Sequence, residues 1–498
     1  MDYSHSIMFV VGFIIYIGIM IFIGTLASRG KSDGKDYLTG GAKLPLFLIF
    51  ATMGATFIGT GSALGATANG FRQGWYGSGY GLGAALGLLW LVWMINKTKP
   101  RSKGFITMAE EAQYLFNGSR QMKVIMSFMM YFAEIAWLGN HINGGGTYLA
   151  YITGVNPVLA RLICVAGFGI YVIIGGYLAV VWTDLIQLVI IVAGFIGIAL
   201  IAVPTAGGWA EITNTITAAG KAGNLTFYGI GSTTTMGLIA LIWGIIIPGL
   251  GTPTYRMRIY TAKDDKTASR AFLTTAALLL AFSLIPALIG MSAFTIATKN
   301  GAESVLGNPN FAFAYVATIV LGPVLGLLFM IAGLSATLSS GDSDAIAGVT
   351  ILIQDIYPVF AKKPLAPEKI KSWSRLGLLI TFALAFFATL FATDVMNYIL
   401  NVIGSIIPGV SVAMFLGAIW KRATWQGGVA SLVTGAIFGV LYLGVAPFQS
   451  YIKGIFTAPA IPSTIITFIV CVIVSLVTPP GTLSEAERLA AVEKSRTA

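Results

Sequence analysis

The chain has 498 residues, 56% hydrophobic and only 10% charged, with a mean hydropathy of +0.84, which excludes a water-soluble globular domain of this length. A net charge of +11 suits either a nucleic-acid partner or a membrane topology, and the positions of the basic residues decide for the membrane. The two cysteines, Cys164 and Cys471, both lie in apolar runs and read as buried hydrophobes, with no support for a disulfide framework or a thiolate metal site.

A membrane-spanning helix needs about 20 mainly apolar residues, because the hydrocarbon core is roughly 30 Å thick and a helix rises about 1.5 Å per residue. The pattern predicts about thirteen such helices, at 7–27, 44–70, 75–95, 124–153, 157–181, 185–203, 233–251, 272–297, 323–347, 376–395, 398–420, 427–445 and 462–477. These runs are apolar all round, whereas barrel strands would alternate, so the fold class is an all-α polytopic membrane protein. The first run lacks a basic n-region and is too long for a signal-peptide core, so it is expected to stay as a helix. The longer polar connections, 205–232 and 299–310, fall on the expected outer side, and 484–498 reads as a short solvated helix.

Two spans are interrupted. The second carries Gly54, Gly59, Gly61 and Gly65, each lowering helix propensity by about 1 kcal/mol relative to alanine. The seventh contains Pro248, Gly249, Gly251 and Pro253, which favour a break. The two lie five spans apart, and matched interruptions in two halves point to a transporter of inverted repeats, with unwound backbone at mid-membrane free to bind an ion and a solute. Close packing of small residues is the alternative for either span alone.

The basic residues crowd alternate connections: Lys31 and Lys35; Lys97, Lys99, Arg101 and Lys103; Arg256, Arg258, Lys263 and Lys266; Lys362, Lys363, Lys369 and Lys371; Lys421 and Arg422. This positive-inside pattern predicts an inner-membrane, multi-pass protein with the N-terminus outside and the C-terminus cytoplasmic. The partners are then a small-molecule substrate and the lipid bilayer, with no nucleic acid.

Four acids fall inside spans: Glu134, Asp184, Asp342 and Asp344, where charge is costly and needs a partner. Asp342 sits in a run from Leu334 to Ala345 whose Ala336, Ser339, Ser340 and Ser343 lie at helical spacing. Their carbonyl and hydroxyl oxygens suit one small hard cation, and sodium fits; hydroxyls bonding back to the preceding turn are the alternative. Apart from Arg161, near the outer start of its helix, no Lys or Arg is expected in mid-span. A cationic, zwitterionic or neutral polar solute is therefore favoured over an anion, although half-helix N-termini can hold a carboxylate.

Several motifs resemble the sodium/solute symporter family, which includes bacterial proline, galactose and sialic acid symporters. The strongest are Gly175-Gly-Tyr-Leu-Ala-Val-Val-Trp-Thr-Asp-Leu-Ile-Gln and Ala336-Thr-Leu-Ser-Ser-Gly-Asp-Ser, running on to Asp355-Ile-Tyr. Asp36-Tyr-Leu-Thr-Gly-Gly, Gly104-Phe-Ile-Thr-Met, and Tyr255-Arg-Met-Arg with Ala262-Lys-Asp also match in order. The resemblance covers nearly the whole chain and implies a leucine-transporter-like fold. Its parts would be a leading helix (1–28), inverted five-helix repeats at 44–203 and 233–420, two trailing helices (424–478) and a cytoplasmic tail (479–498).

The resemblance also implies the site. Counting from the shared glycine and from Asp355, the sodium ligands would be Ala55, Ile58, Ala336, Ser339 and Ser340; a second sodium, used by some relatives, would involve Asp184, Ser339, Asp342 and Ser343. A proton site or a helix cap are the other readings of that acid. Solute contacts would come from Phe57, Gly59, Gly61 and Ser62, from Trp137, Asn140 and His141, and from Trp243 and Thr252. Packing aromatics explain Trp137 and Trp243 equally well, and a neighbouring carbonyl would satisfy His141. Local similarity to choline carriers at 51–65, 101–108 and 134–137 suggests aromatic faces around a cation, but Thr252 stands where an aromatic would be expected, pointing to a smaller or more polar solute.

The expected activity is sodium-coupled symport of a small organic solute, amino-acid or amine-like, by alternating access, with Na+ the co-transported ion. Proton coupling on the same fold, a monocarboxylate or sugar solute, and a passive ion channel are the alternatives. No His-Glu-x-x-His, nucleophile elbow or phosphate-binding loop occurs, so no enzyme activity is expected.

Overall fold

The computed structural model describes residues 6–28, 34–227, 235–390 and 399–497. Lys31, Ser232 and the expected span ends at 233, 395 and 398 lie outside the described residues. In lipid every backbone amide and carbonyl must be satisfied within the protein, and the described chain is helical almost throughout. The main helices are α1 (Ser6–Ser28), α2 (Leu46–Phe57), α3 (Ala66–Gln73), α4 (Gly79–Thr98), α5 (Met108–Leu115), α6 (Arg120–Thr153) and α7 (Pro157–Thr205). They continue with α8 (Thr235–Gly251), α9 (Pro253–Thr261), α10 (Asp265–Phe282), α11 (Leu284–Asn300), α12 (Gly322–Ile351), α13 (Pro367–Thr389), α14 (Gly404–Ile419), α15 (Trp425–Gly444), α16 (Ala460–Val477) and α17 (Glu485–Thr497).

Among the described residues ten helices are long and apolar enough to cross a membrane, or eleven with the bent pair α8–α9. The difference from the expected spans has two sources. The 44–70 span is not one helix: α2 stops at Phe57 and a π-helical turn, Gly61–Gly65, leads into α3. The spans expected at 157–181 and 185–203 form the single 49-residue element α7, and the chain turns inside it at Gly176 (φ 63°, ψ −153°). The turn expected at 182–184 is thereby corrected. Thr183 and Asp184 are fully buried within the helix: Thr183 donates back to the Ala179 and Val180 carbonyls (2.9 Å each), and Asp184 accepts the Thr52 hydroxyl from α2.

Polarity is turned inside out, as a bilayer demands. Ile7, Val189, Val324 and Val440 are each more than 60% exposed, while Asp184, Ser339, Ser340, Asp342 and Ser343 are fully buried. Helix α12 packs against α6 and α7, and α2 packs against α7, so the hydroxyl-rich stretch of α12 faces the break after α2. Side-chain caps fix several starts: Thr107 accepts from the Glu110 amide and Asn156, just before Pro157, from that of Val158, each worth about 1 kcal/mol.

Two stitches matter for the site. Leu44 and Ala262 form a parallel bridge, and Arg101 donates to the Ala262 carbonyl (2.6 Å), pinning the start of α2 beside the end of α9. Gly70 and Gly290 bring α3 and α11 into backbone contact: a Cβ on Gly70 would stand 2.6 Å from the Ala287 carbonyl, and one on Gly290 would overlap that of Thr67.

The tail helix α17 exists but is not solvated on all sides. Arg496 grips Glu110 of α5 with two nitrogens (2.6 and 2.7 Å), and Gln113 donates to the Ala491 carbonyl (3.3 Å). Tyr114 donates to Glu485 (2.9 Å), with Lys103 at 3.4 Å, and these partners hold the Glu485 carboxyl below its ordinary range. Cys164 and Cys471 are buried and free.

Candidate functional site

Helix α2 ends because Ile58 leaves helical geometry (φ −83°, ψ 55°), which turns backbone carbonyls out of the helical ladder. Against that end lies the hydroxyl face of α12. Ser339 donates to the Ala55 carbonyl (3.0 Å), and Ser340 donates to the Thr56 carbonyl (2.9 Å) and back to Ala336 (3.3 Å). Ala55, Ile58, Ala336, Ser339 and Ser340 are all fully buried. The break after α2 thus meets α12 through oxygens, the ligand type a hard monovalent cation takes. Gly59 is required there, since a Cβ would overlap the Ser340 hydroxyl.

The second interruption falls at Thr252 (φ −91°, ψ 119°), with a bend of 47° between α8 and α9. Pro248 remains inside α8, its carbonyl accepting the Thr252 hydroxyl (2.7 Å); Pro253 opens α9, where a missing amide costs nothing.

Around these breaks most of the expected solute residues gather. Phe57 stacks on Tyr255 at 4.0 Å, and Ser62 donates to the Phe57 carbonyl. A Cβ on Gly61 would stand 2.5 Å from the Tyr80 hydroxyl. His141 shares a hydrogen bond with the Thr60 hydroxyl (2.7 Å), a side chain and not a carbonyl, and lies 3.3 Å from Asp344. Trp137 stacks near His141 at 6.5 Å, and the Trp137 indole nitrogen and both amide atoms of Asn140 are buried without a hydrogen-bond partner among the described residues. Trp243 is not part of this gathering: its indole donates to Thr464 of α16 (3.1 Å) and its ring packs on Trp90.

Glu134 and Asp344, expected as intramembrane acids, form a carboxylate pair beside these aromatics that the sequence did not foreshadow. Glu134 accepts the Thr254 amide (2.9 Å) and its hydroxyl (2.7 Å), and the same hydroxyl lies 2.9 Å from Asp344. One hydroxyl proton thus faces two carboxylates. The spacing Thr-Tyr-Arg-Met-Arg gave no hint, because the pairing joins α6, α9 and α12.

Sequence reasoning missed two buried arginines, and the expectation of no mid-span basic residue is corrected. Arg256 and Arg258 read as loop charges, yet on α9 both are buried. Arg256 forks onto both oxygens of Glu111 at 2.9 Å. Arg258 donates to Thr52 (3.0 Å), Thr56 (3.1 Å) and Ser343, with Asp184 at 3.8 Å. Asp342 accepts the Tyr171 hydroxyl (2.6 Å).

A helical membrane bundle with two broken helices meeting a hydroxyl-bearing helix at its centre is the leucine-transporter-like architecture of secondary transporters. A solved Na+-coupled sialic acid symporter, in a substrate-bound outward-open state, superposes with a TM-score of 0.79 at 18% identity, covering 97% of this chain and 100% of that one. The chain belongs to the sodium:solute symporter family, whose model matches residues 37–435, and it is a multi-pass membrane protein that couples sodium to the transport of a small organic solute. Its relatives include the osmoregulated proline transporter of Bacillus subtilis, 24% identical over 95% of each chain. The sodium/proline symporter of Haemophilus influenzae is 25% identical over 87% of this chain and 88% of its own.

Proposed function

We propose that the chain imports an amine-bearing nutrient, zwitterionic or cationic, together with sodium by alternating access. Sodium would be held by the carbonyls of Ala55, Ile58 and Ala336 and the hydroxyls of Ser339 and Ser340. The observation that carries this is the Ser339-to-Ala55 contact of 3.0 Å at the break after α2. An ion there ties the two elements together in one state, and a state in which they part releases it. Coupling needs only about 1 to 3 kcal/mol of differential affinity, and the membrane potential adds about 2.3 kcal/mol per charge per 100 mV.

The solute would lie against Phe57, Gly59, Gly61, Ser62, Trp137, Asn140, His141 and Thr252, with Trp243 left out. Its ammonium group would approach the Glu134–Asp344 pair, which lacks a full set of donors. The two proline-carrying relatives agree with this class. We further propose inverted repeats at 44–203 and 233–420, an inner-membrane location, an outside N-terminus and a cytoplasmic C-terminus, in keeping with the basic loops.

Proteoliposome uptake of proline and other amino acids and amines, with an inward sodium gradient or with potassium in its place, tests the reading. Accumulation in sodium alone is expected; equal accumulation in potassium would refute it. Proton coupling has one observation in its favour, the single Thr254 hydroxyl between two carboxylates, and uptake driven by a pH gradient without sodium would select it.

A further inference from the structure

Four basic residues from separate parts of the chain converge on one cavity. Lys97 at the end of α4, Lys103 in the connection to α5, Lys421 just past α14 and Arg488 in the tail helix α17 line a space of about 720 Å³, and Glu485 is the one acid among the described residues around it. Glu485 is matched by close partners, accepting from Tyr114 (2.9 Å) and lying 3.4 Å from Lys103. Arg488 donates its Nε to the Leu483 carbonyl (3.0 Å), which leaves its terminal nitrogens for another acceptor. The Lys97 ammonium rests over the Trp93 ring at 5.2 Å, and neither Lys97 nor Lys421 has an ion pair among the described residues. Lys97, Lys421 and Arg488 thus face the cavity without an anion of their own.

The cavity lies where the bundle leaves the hydrocarbon. One turn back along α4, Trp93 is 45% exposed, its ring 6.2 Å from that of Phe415 on α14, which also meets Trp90 at 5.2 Å. Aromatic rings gather at the depth where acyl chains give way to headgroups, so the seam between α4 and α14 leads from lipid into the basic space.

We propose that this cavity binds the phosphate of an anionic phospholipid, whose acyl chains lie along the Trp93–Phe415 seam. The positive-inside pattern puts basic residues on one side of the membrane; it does not gather them around one space and leave them unpaired. A basic pocket between helix ends at the interface is the form that takes a lipid headgroup, and the exposed aromatic seam favours a lipid over free phosphate, which needs no apolar approach. Because Arg488 belongs to the tail, the headgroup ties α17 to the ends of α4 and α14.

The inference needs neither the sodium nor the solute site and is tested without them. Native mass spectrometry of the purified full chain, titrated with phosphatidylglycerol, phosphatidylcholine or inorganic phosphate, should show one site that prefers phosphatidylglycerol to phosphatidylcholine by at least about tenfold. Lys97→Gln, Lys421→Gln and Arg488→Gln together should abolish that preference, whereas the same loss of charge outside the cavity, Lys266→Gln, Lys363→Gln and Lys369→Gln, should leave it. Equal binding of the two lipids, an equal loss in both triple variants, or inorganic phosphate held at the site with no lipid taking its place overturns the proposal. If the first triple variant does not fold, Arg488→Gln alone should weaken phosphatidylglycerol binding about threefold or more, and unchanged binding in it overturns the proposal equally.

Discussion

Ser339 and Ala55 are 284 residues apart in the chain, yet the hydroxyl of one meets the carbonyl of the other at 3.0 Å. A hydroxyl that now donates to a carbonyl also carries lone pairs that can turn, with that carbonyl's oxygen, toward a cation.

Replacing Ser339 and Ser340 together by alanine removes two of these oxygens and leaves the apolar packing of α12 intact. The sodium concentration for half-maximal uptake should rise at least about tenfold, roughly 1.4 kcal/mol, with unchanged membrane insertion. Unaltered sodium dependence in vesicles would remove these hydroxyls from the ion site.

Glu134→Gln and Asp344→Asn each remove one charge from the pair that shares the Thr254 hydroxyl. Loss of a charge-assisted hydrogen bond costs about 1.5–3 kcal/mol, so apparent solute affinity should fall about 10- to 100-fold. Sodium binding measured without solute should change far less. An amine solute carried with wild-type affinity by both variants would separate this pair from recognition.

Gly176→Ala should destabilise the fold. The residue sits at φ 63°, and a Cβ would stand 2.5 Å from the Tyr37 carbonyl, so about 1–3 kcal/mol of backbone strain adds to the displacement of the short helix Gly34–Thr39. A fall of several degrees in detergent melting temperature is expected, whereas Gly18→Ala, with open space around it, should melt like the wild type.

The tail helix should loosen in acid. Tyr114 and Lys103 hold the Glu485 carboxyl below its ordinary value, so their contact is fully present above the usual glutamate range and is lost as pH falls through the lowered value. Hydrogen exchange over 485–497 should accelerate there before the membrane helices respond. Simultaneous exchange of both would mean that α17 does not open separately.

The membrane class and the two interrupted spans were legible because lipid exposure and glycine or proline content are local properties. The hydroxyl run of α12 was legible for the same reason. Arg256 and Arg258 were not, since Pro253-Thr-Tyr-Arg-Met-Arg has the composition of a loop and only Glu111 and Asp184, brought from elsewhere, make its burial tolerable. The boundary expected between 181 and 185 was misplaced: Thr183 bonds back to its own helix and Asp184 accepts from Thr52, while the backbone turns earlier, at Gly176. Trp243 shows a further limit: which face of α8 looks toward α16 is decided by packing, not by the residue's own character. The Gly175-Gly176 motif was quoted but its bend was not seen, because only the approach of Tyr37 shows why the backbone must turn there.

Gly70 and Gly290 leave no slack between α3 and α11: bare backbone lies against bare backbone, and neither element can slide without striking a carbonyl. Whatever rocking the transporter performs, these two swing as one lever. Paired spin labels on them should report the same separation in every state, and the relative movement must be sought where hydroxyls, not glycines, form the seam.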